Sequence, residues 1–341
     1  MPLPKAELHL HIEGTLEPEL LVTIARRNEL SLPTMDVAEL RAEYLFDDLQ
    51  TFLDLYYRNV AVLRTEQDFY ELAAAYLRRA HADGVRRAEI FFDPQQHLRN
   101  GVPLAVVMSG LSAALADARA AQGISADLIL CFLRDLGGDA AKEMLHAALP
   151  FRDQFIGVGL DSAEMGYPPS LFREVYAMAA AEDLRRVAHA GEEGGPDYVW
   201  EALDILGAER IDHGIRALED ASLVQRLREE RIPLTVCPLS NVALRAVPTL
   251  ADHMLPAMLD EGLLVTVNSD DPAYFGGYVE QNFEAVGAQL GFGGDVLAQL
   301  AENSFEACFA TPEQRAGWNA ELREAVSRQT AQATETLGRN T

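Results

Sequence analysis

AELHLHIEG (Ala6–Gly14) decides how this chain folds. Apolar Ala6, Leu8 and Leu10 alternate with Glu7, His9 and His11, the period of a β-strand, so His9 and His11 point to the same side. A doubly wound sheet wants a Gly-rich phosphate turn after its first strand, and HIEGTLEP (residues 11–18) supplies none. Outward from this stretch, β-rich runs recur at residues 87–92, 127–132, 155–161, 185–190, 210–213, 232–237 and 263–268. Helical patterns such as residues 66–82, 103–121, 170–182 and 221–231 separate most of them. Eight strands, each followed by helix, predict an α/β fold of the (β/α)8 TIM-barrel class. The interval 15–86 is too long for one crossover helix. It predicts two or three extra helices over one end of the barrel, between strand 1 and strand 2. Residues 311–341 read as a closing helix and a tail.

At 341 residues the chain exceeds the usual domain size but stays within the range of one barrel, and no repeat or low-complexity linker divides it. Residues 1–341 are therefore read as a single domain. Hydrophobic residues at 49% and charged residues at 24% are the balance of an ordered globular chain. With 53 acidic against 28 basic residues, the net charge of −25 repels phosphate backbones and anionic lipid. Nucleic acid and membrane surfaces are accordingly poor partners. Lys5 and Lys142 are the sole lysines, so a Schiff base or a carbamylated metal bridge has two positions to choose from. Cys131, Cys237 and Cys308 are odd in number, widely spaced and free of any CxxC, which fits a reduced, cytoplasmic setting. The N-terminal residues lack the apolar core of a signal peptide. The longest charge-free run, residues 100–116, contains Gly101, Pro103 and Gly110 and reads as too short and too polar for a spanning helix. Homo-oligomerisation is left open.

Polar residues gather where the strands end. His9 and His11 close the first strand, His189 the fifth and His213 the sixth, and Asp270–Asp271 follow the eighth. In a barrel, that C-terminal rim is where active sites sit. A lone histidine is more often a hydrogen-bonded core residue. Four of the eight histidines at strand ends, beside two adjacent carboxylates, argue for a site. Three imidazoles and one carboxylate, from His9, His11, His189 and Asp270, suit one zinc ion with a position open to water. A bridged two-metal site would want a carboxylated lysine at the fourth strand, but that strand ends LDSAE (residues 160–164) with no lysine near it. Lys5, at the opposite end of the first strand from the histidines, also argues against a Schiff-base aldolase.

HLHIEGTLEPEL (9–20), HAGEEGGPDYVWEAL (189–203), RIDHGIRALED (210–220), LTVCPLSNVALR (234–245) and VTVNSDDPAYFGGY (265–278) resemble the motifs of the adenosine/adenine deaminase family. The likeness runs over residues 4–309. HxH alone recurs in many metal-dependent hydrolases. HxH, HAGE, DHG and SDDP in this order are specific. The resemblance implies a zinc-dependent barrel that replaces the 6-amino group of a purine by oxygen and releases ammonia. It implies one Zn2+ per chain, which acidifies a water for attack at C6. Glu192 would protonate N1. His213 would orient or deprotonate the water or stabilise charge on the attacking oxygen, with a fifth metal ligand as the alternative. Asp271 would hydrogen-bond N7.

Adenosine deaminases typically carry Asp-Gly after HxH and LAGDE after the fourth strand. Here Glu13-Gly14 and LDSAE stand in their places, so the longer Glu13 and the Ser162 side chain take up room that a sugar needs. With FFDPQQH (91–97), PFRD (150–153) and DPAYFGGY (271–278), they resemble the adenine deaminase branch. The resemblance thus implies deamination of adenine, a small purine base, to hypoxanthine and ammonia in purine salvage, with Glu13 and Ser162 toward N9. Adenosine, N6-substituted adenines and modified adenine nucleosides remain alternatives, as does a barrel that binds a purine or a metal without catalysis. No basic cluster accompanies the motifs, which counts against a nucleotide 5′-phosphate. His97 reads as either pocket lining or a structural residue. Cys237, Phe52, Tyr56 and Tyr57 read as core or lid packing.

Overall fold

β1 (Lys5–His11) is buried along its whole length and pairs in parallel with β2 (Val85–Phe92). The ladder continues through β3 (Ser125–Leu133), β4 (Gly157–Asp161), β5 (Arg185–Ala190), β6 (Arg210–His213), β7 (Leu234–Val236) and β8 (Val265–Val267). All neighbours are parallel and follow chain order, so the expected (β/α)8 barrel is present in the computed structural model, which describes residues 2–339. The ring closes at Asp270. Its N–H donates to the His9 carbonyl at 3.0 Å, and its carbonyl accepts from the His11 N–H at 3.0 Å. Asn268 strengthens the seam by accepting from the Leu8 N–H at 2.9 Å. One backbone thus joins the first and last strands and carries a candidate metal donor.

β5 and β6 coincide with the runs read from sequence, whereas β7 and β8 keep three residues each, half the expected length. The remainder of those runs turns out of the ladder: Cys237 opens the helix Pro238–Ala243, and Asn268 spends its side chain across the seam. Between β1 and β2 the chain forms α1 (Pro18–Arg27), α2 (Val37–Ala42) and α3 (Leu49–Val60) before the crossover helix α4 (Glu66–Ala82). Thr65 and Asp68 form a reciprocal capping box at the start of α4, which fixes where the crossover begins.

Among the described residues, one helix, Leu104–Gln122, is long and apolar enough to cross a membrane by length and composition alone. This differs from the reading of its charge-free run, because the helix continues past Asp117 and Arg119. Its apolar face is spent on packing, with Val107, Met108 and Leu111 fully buried. Gly110 lies so close to α4 that a Cβ there would meet the Glu66 carbonyl oxygen at 2.4 Å.

Arg87, Glu89 and Arg210 form a buried charge cluster inside the barrel. Arg210 donates to Glu89 at 2.5 Å and to the Leu8 carbonyl at 3.2 Å, and Arg87 reaches the same carboxylate at 3.1 Å. Burial alone would raise the Glu89 pKa, but these two guanidinium groups hold it below its usual value. Lys5, at the N-terminal end of β1, pairs with Glu280 at 2.6 Å, and Lys142 pairs with Glu174 at 2.5 Å on the surface. Neither lysine lies among the residues lining the mouth of the barrel. The closing helix is Pro312–Arg339, and the end of the expected tail lies outside the described residues.

Candidate metal centre and active-site cavity

Four buried donors converge at the C-terminal end of the barrel: His9 and His11 from β1, His189 from β5, and Asp270 at the seam. His9 Nε2 lies 3.1 Å from Asp270 Oδ1. His11 Nε2 lies 3.2 Å from His189 Nε2 and 3.5 Å from the same oxygen. Around zinc with Zn–N of about 2.0–2.1 Å, the edges of a tetrahedron are about 3.3 Å, so these spacings fit one such ion. The opposite ring nitrogens face backing groups. His9 Nδ1 is 3.0 Å from Thr235 Oγ1, His11 Nδ1 3.5 Å from Asp161 Oδ2, and His189 Nδ1 3.7 Å from Asp212 Oδ2. Partners of this kind orient imidazoles toward a metal. Asp270 Oδ2 in turn accepts from Ser240 at 2.6 Å.

Burial, aided by the neighbouring imidazoles, lowers the pKa of His11 to about 4 and pushes His189 well below its usual value. Both are thus neutral, the form that binds metal. His9 moves the other way: burial opposes its charge, but Asp270 outweighs burial and raises the pKa of the ring. Asp270 is held low by the imidazoles despite its burial. Backbone strain collects at the same rim, where Ser162, His213 and Asp270 adopt left-handed φ of 70°, 61° and 65°.

Above the donors lies a small cavity of about 40 Å3 that opens to solvent. Phe52, Tyr56 and Tyr57 of α3 line it from one side, and Glu192, His213 and Asp271 from another. Phe52, Tyr56 and Tyr57, read as core or lid packing, thus form part of the cavity wall. Glu192 Oε1 and Asp271 Oδ1 are buried without a hydrogen-bond partner. Burial, then the charges of Asp270 and Glu164, raise the Glu192 carboxyl well above its usual range. Burial and Asp270 do the same to Asp271.

A hydrogen-bond chain sets the tautomer of His213. The Leu255 N–H donates to His253 Nδ1 at 3.0 Å, which leaves the proton of that neutral ring on Nε2, 3.3 Å from Asn241 Oδ1. Burial lowers the His253 pKa to about 4, consistent with a neutral ring. Asn241 is then oriented to donate from Nδ2 to His213 Nδ1 at 3.2 Å. Burial also keeps His213 neutral, with its pKa lowered to about 3, so its proton sits on Nε2. That nitrogen faces Glu192 Oε2 at 3.6 Å and Asp270 Oδ2 at 3.8 Å.

Glu164, after β4, anchors the loop that carries Glu192. Its carboxylate accepts from the backbone N–H groups of Gly191, Glu192, Glu193 and Gly194 at 2.8, 3.1, 2.7 and 2.9 Å. Arg134 Nη1 secures the preceding residue by donating to the His189 carbonyl at 2.9 Å. A hydrogen bond to a charged group contributes about 1.5–3 kcal/mol, so Glu164→Gln is expected to lower kcat by ~10–100-fold with metal content intact. Steady-state rates beside elemental analysis check this, and an unchanged kcat would show that the loop needs no such anchor.

Ser162 lines the cavity, with its hydroxyl 3.0 Å from that of Tyr57. Glu13 does not line it. Its Oε1 accepts from His97 Nε2 at 2.8 Å and from the Asp93 N–H at 3.1 Å, while Oε2 is buried without a partner, so the side chain read from sequence as a substrate contact stands within the wall. His97 sits behind the wall, edge-on to Phe69, and has the structural role. Asp93, Asp161, Glu164, Asn241 and His253 were not singled out by sequence. For two of them the available signal was the Asp-x-x-Glu spacing within LDSAE at the end of a strand. Gly14 is required where it stands, because a Cβ would lie 2.0 Å from Asp271 Oδ1 and 2.7 Å from its Cα. Gly14→Ala is expected to displace Asp271 and lower kcat/KM by ~10²-fold, measurable against a retained metal signal.

Residues 4–326 match the profile of the family described as Adenosine deaminase. An adenine deaminase of Streptomyces coelicolor is 63% identical over 324 residues, covering 94% of this chain and 95% of that protein. The crystal structure of an adenine deaminase from Arthrobacter aurescens superposes with a TM-score of 0.94 at 55% identity, covering 95% of this chain and 99% of that one. A Burkholderia ambifaria amidohydrolase solved with bound Zn superposes with a TM-score of 0.90 at 28% identity, over 98% of this chain and 93% of that one.

Proposed function

The chain belongs to the adenosine deaminase family, and from that premise we propose that it hydrolyses adenine to hypoxanthine and ammonia with one zinc ion per chain. The observation that carries the reading is a buried Glu192, with Oε1 unpartnered, lining the same cavity as a three-histidine, one-aspartate donor set. His9, His11, His189 and Asp270 would hold the ion, which when bound supplies a water acidic enough to react near neutral pH. Glu192 gives its proton to N1, which makes C6 electrophilic. His213 presents Nε2–H to the attacking oxygen, which favours its orienting and charge-stabilising role over that of a base. Asp271, kept protonated by burial and by Asp270, donates to N7. As the C6–O bond forms and the C6–N bond breaks, one hydrogen of water replaces the proton spent on N1 and the other leaves with ammonia. Ser162 faces the remainder of the ring.

Among the described residues, no lysine or arginine lines the cavity, which supports a base without a phosphate. Three buried free cysteines support a reducing, cytoplasmic setting, and purine salvage is the role that fits this chemistry. Residues 1–341 are proposed to act as one catalytic domain.

The test is a side-by-side ultraviolet assay of adenine, adenosine and N6-substituted adenines, before and after chelation. Adenine is expected to turn over, chelation to stop it and zinc to restore it, with adenosine poorer by ~10⁴-fold in kcat/KM. Comparable values for adenine and adenosine would overturn the base preference. Ammonia from no purine at all would overturn the deaminase reading in favour of a binding barrel.

A further inference from the structure

We propose that the carboxyl pair Asp93–Asp161 receives the N9–H of the purine and thereby decides free base against nucleoside. This rests on the deaminase reading of the same cavity. Asp93 follows β2 and Asp161 ends β4, and each is 3% exposed. Both line the cavity, and no protein N–H or hydroxyl reaches Asp93 Oδ1 or either oxygen of Asp161. The two carboxyls hydrogen-bond each other, so one of them holds a proton, the Cys131 thiol also reaches Asp161, and Asp161 Oδ2 lies 3.5 Å from His11 Nδ1.

A buried carboxyl pair that shares one proton still keeps lone pairs that no protein N–H or hydroxyl fills, and a ligand that brings an N–H group satisfies them. Adenine offers N–H donors at two places, the 6-amino group and N9. The 6-amino group belongs at the metal donors, N1 at Glu192 and N7 at Asp271. What remains is the edge formed by N3 and N9–H. On the protein side what remains is Asp93, Asp161 and the Tyr57–Ser162 hydroxyl pair, whose single mutual bond of 3.0 Å leaves one O–H free for N3. Donors and acceptors then match around the whole ring. A substituent on N9 removes the N–H and leaves the carboxyl pair unsatisfied against a bulkier group, and sites built on such pairs discriminate by ~10⁴-fold or more. Glu13 is not among the residues lining the cavity, and its Oε1 is held by His97 and the Asp93 N–H.

The experiment compares kcat/KM for adenine and 9-methyladenine in the wild-type enzyme, Asp161→Ala, Asp161→Asn and Asp93→Asn, with zinc content measured on each. The wild type is expected to prefer adenine by ~10³-fold or more. In Asp161→Ala that preference is expected to shrink by ~10²-fold, because adenine loses its acceptor while 9-methyladenine gains room. The asparagine variants, which keep the shape, are expected to narrow it by ~10-fold with zinc retained. A parallel fall for both substrates, an unchanged preference in all three variants, or two tightly bound ions per chain would overturn the proposal. The last outcome would make His11, Asp93 and Asp161, whose donor atoms lie within 4.8 Å of one another, a second cation site. A wild-type enzyme inactive on adenine would instead sink the deaminase reading itself.

Discussion

Glu192→Gln is expected to keep its metal and lose ~10²–10⁴-fold in kcat. The substitution is isosteric, and the anchor of the loop is the Glu164 carboxylate gripping four backbone N–H groups, so the side chain changes chemistry without changing place. What is lost is an acidic proton, since an amide cannot protonate N1. Burial and the charges of Asp270 and Glu164 raise the Glu192 pKa, so the useful form is the protonated one. Its contribution is full below that raised pKa and falls as pH rises through it. The wild-type rate should therefore decline on the alkaline side, and the glutamine variant should lack that limb. Steady-state kinetics across pH, with metal analysis of the same samples, read both effects. Near-normal turnover in the variant would remove Glu192 from the chemistry.

His189→Ala is expected to lose the metal itself and with it at least ~10³-fold in activity, the several kcal/mol that a bound ion supplies to the developing charge. The ring lies 3.2 Å from His11 Nε2, and its other nitrogen is backed by Asp212 at 3.7 Å. Alanine removes a quarter of the donor set and leaves Asp212 facing a void. Elemental analysis after gel filtration is the direct measurement. Stoichiometric zinc in this variant would show that the ion is held by other residues, and the donor set would have to be redrawn around His213, Cys237 and Asp270, whose donor atoms also lie within 4.8 Å of one another.

Sequence and structure diverge most at the rim. Glu13 follows HxH, and its length invites a role against the sugar position. In the fold, however, His97, many residues later, reaches the same carboxylate at 2.8 Å and draws it into the wall. Asp161 precedes Ser162 in LDSAE and attracted no role from sequence, since an aspartate at a strand end is commonplace. Its pairing with Asp93 in the cavity wall becomes visible only once the fold brings β2 and β4 together. The proton on His213 depends on Leu255, His253 and Asn241, three residues with no shared motif.

By itself the sequence determined the barrel and brought out the four candidate metal donors that the fold gathers. Strand periodicity is local: Leu8 and Leu10 on one face put His9 and His11 on the other, and eight such runs with helices between them admit few other folds. Donor identity is equally local, since an imidazole at a strand's C-terminal end faces the mouth whichever neighbours it has. Tertiary structure alone decided which carboxyls stay protonated, which are consumed by partners and which remain free for a ligand. Glu13, Asp161, Glu164 and Glu192 are alike in composition. They differ in whether distant chain brings them an imidazole, a second carboxyl, four backbone N–H groups or a neighbouring negative charge. Desolvation and hydrogen bonding act over a few ångströms of space rather than along the chain, and that distance is set by packing.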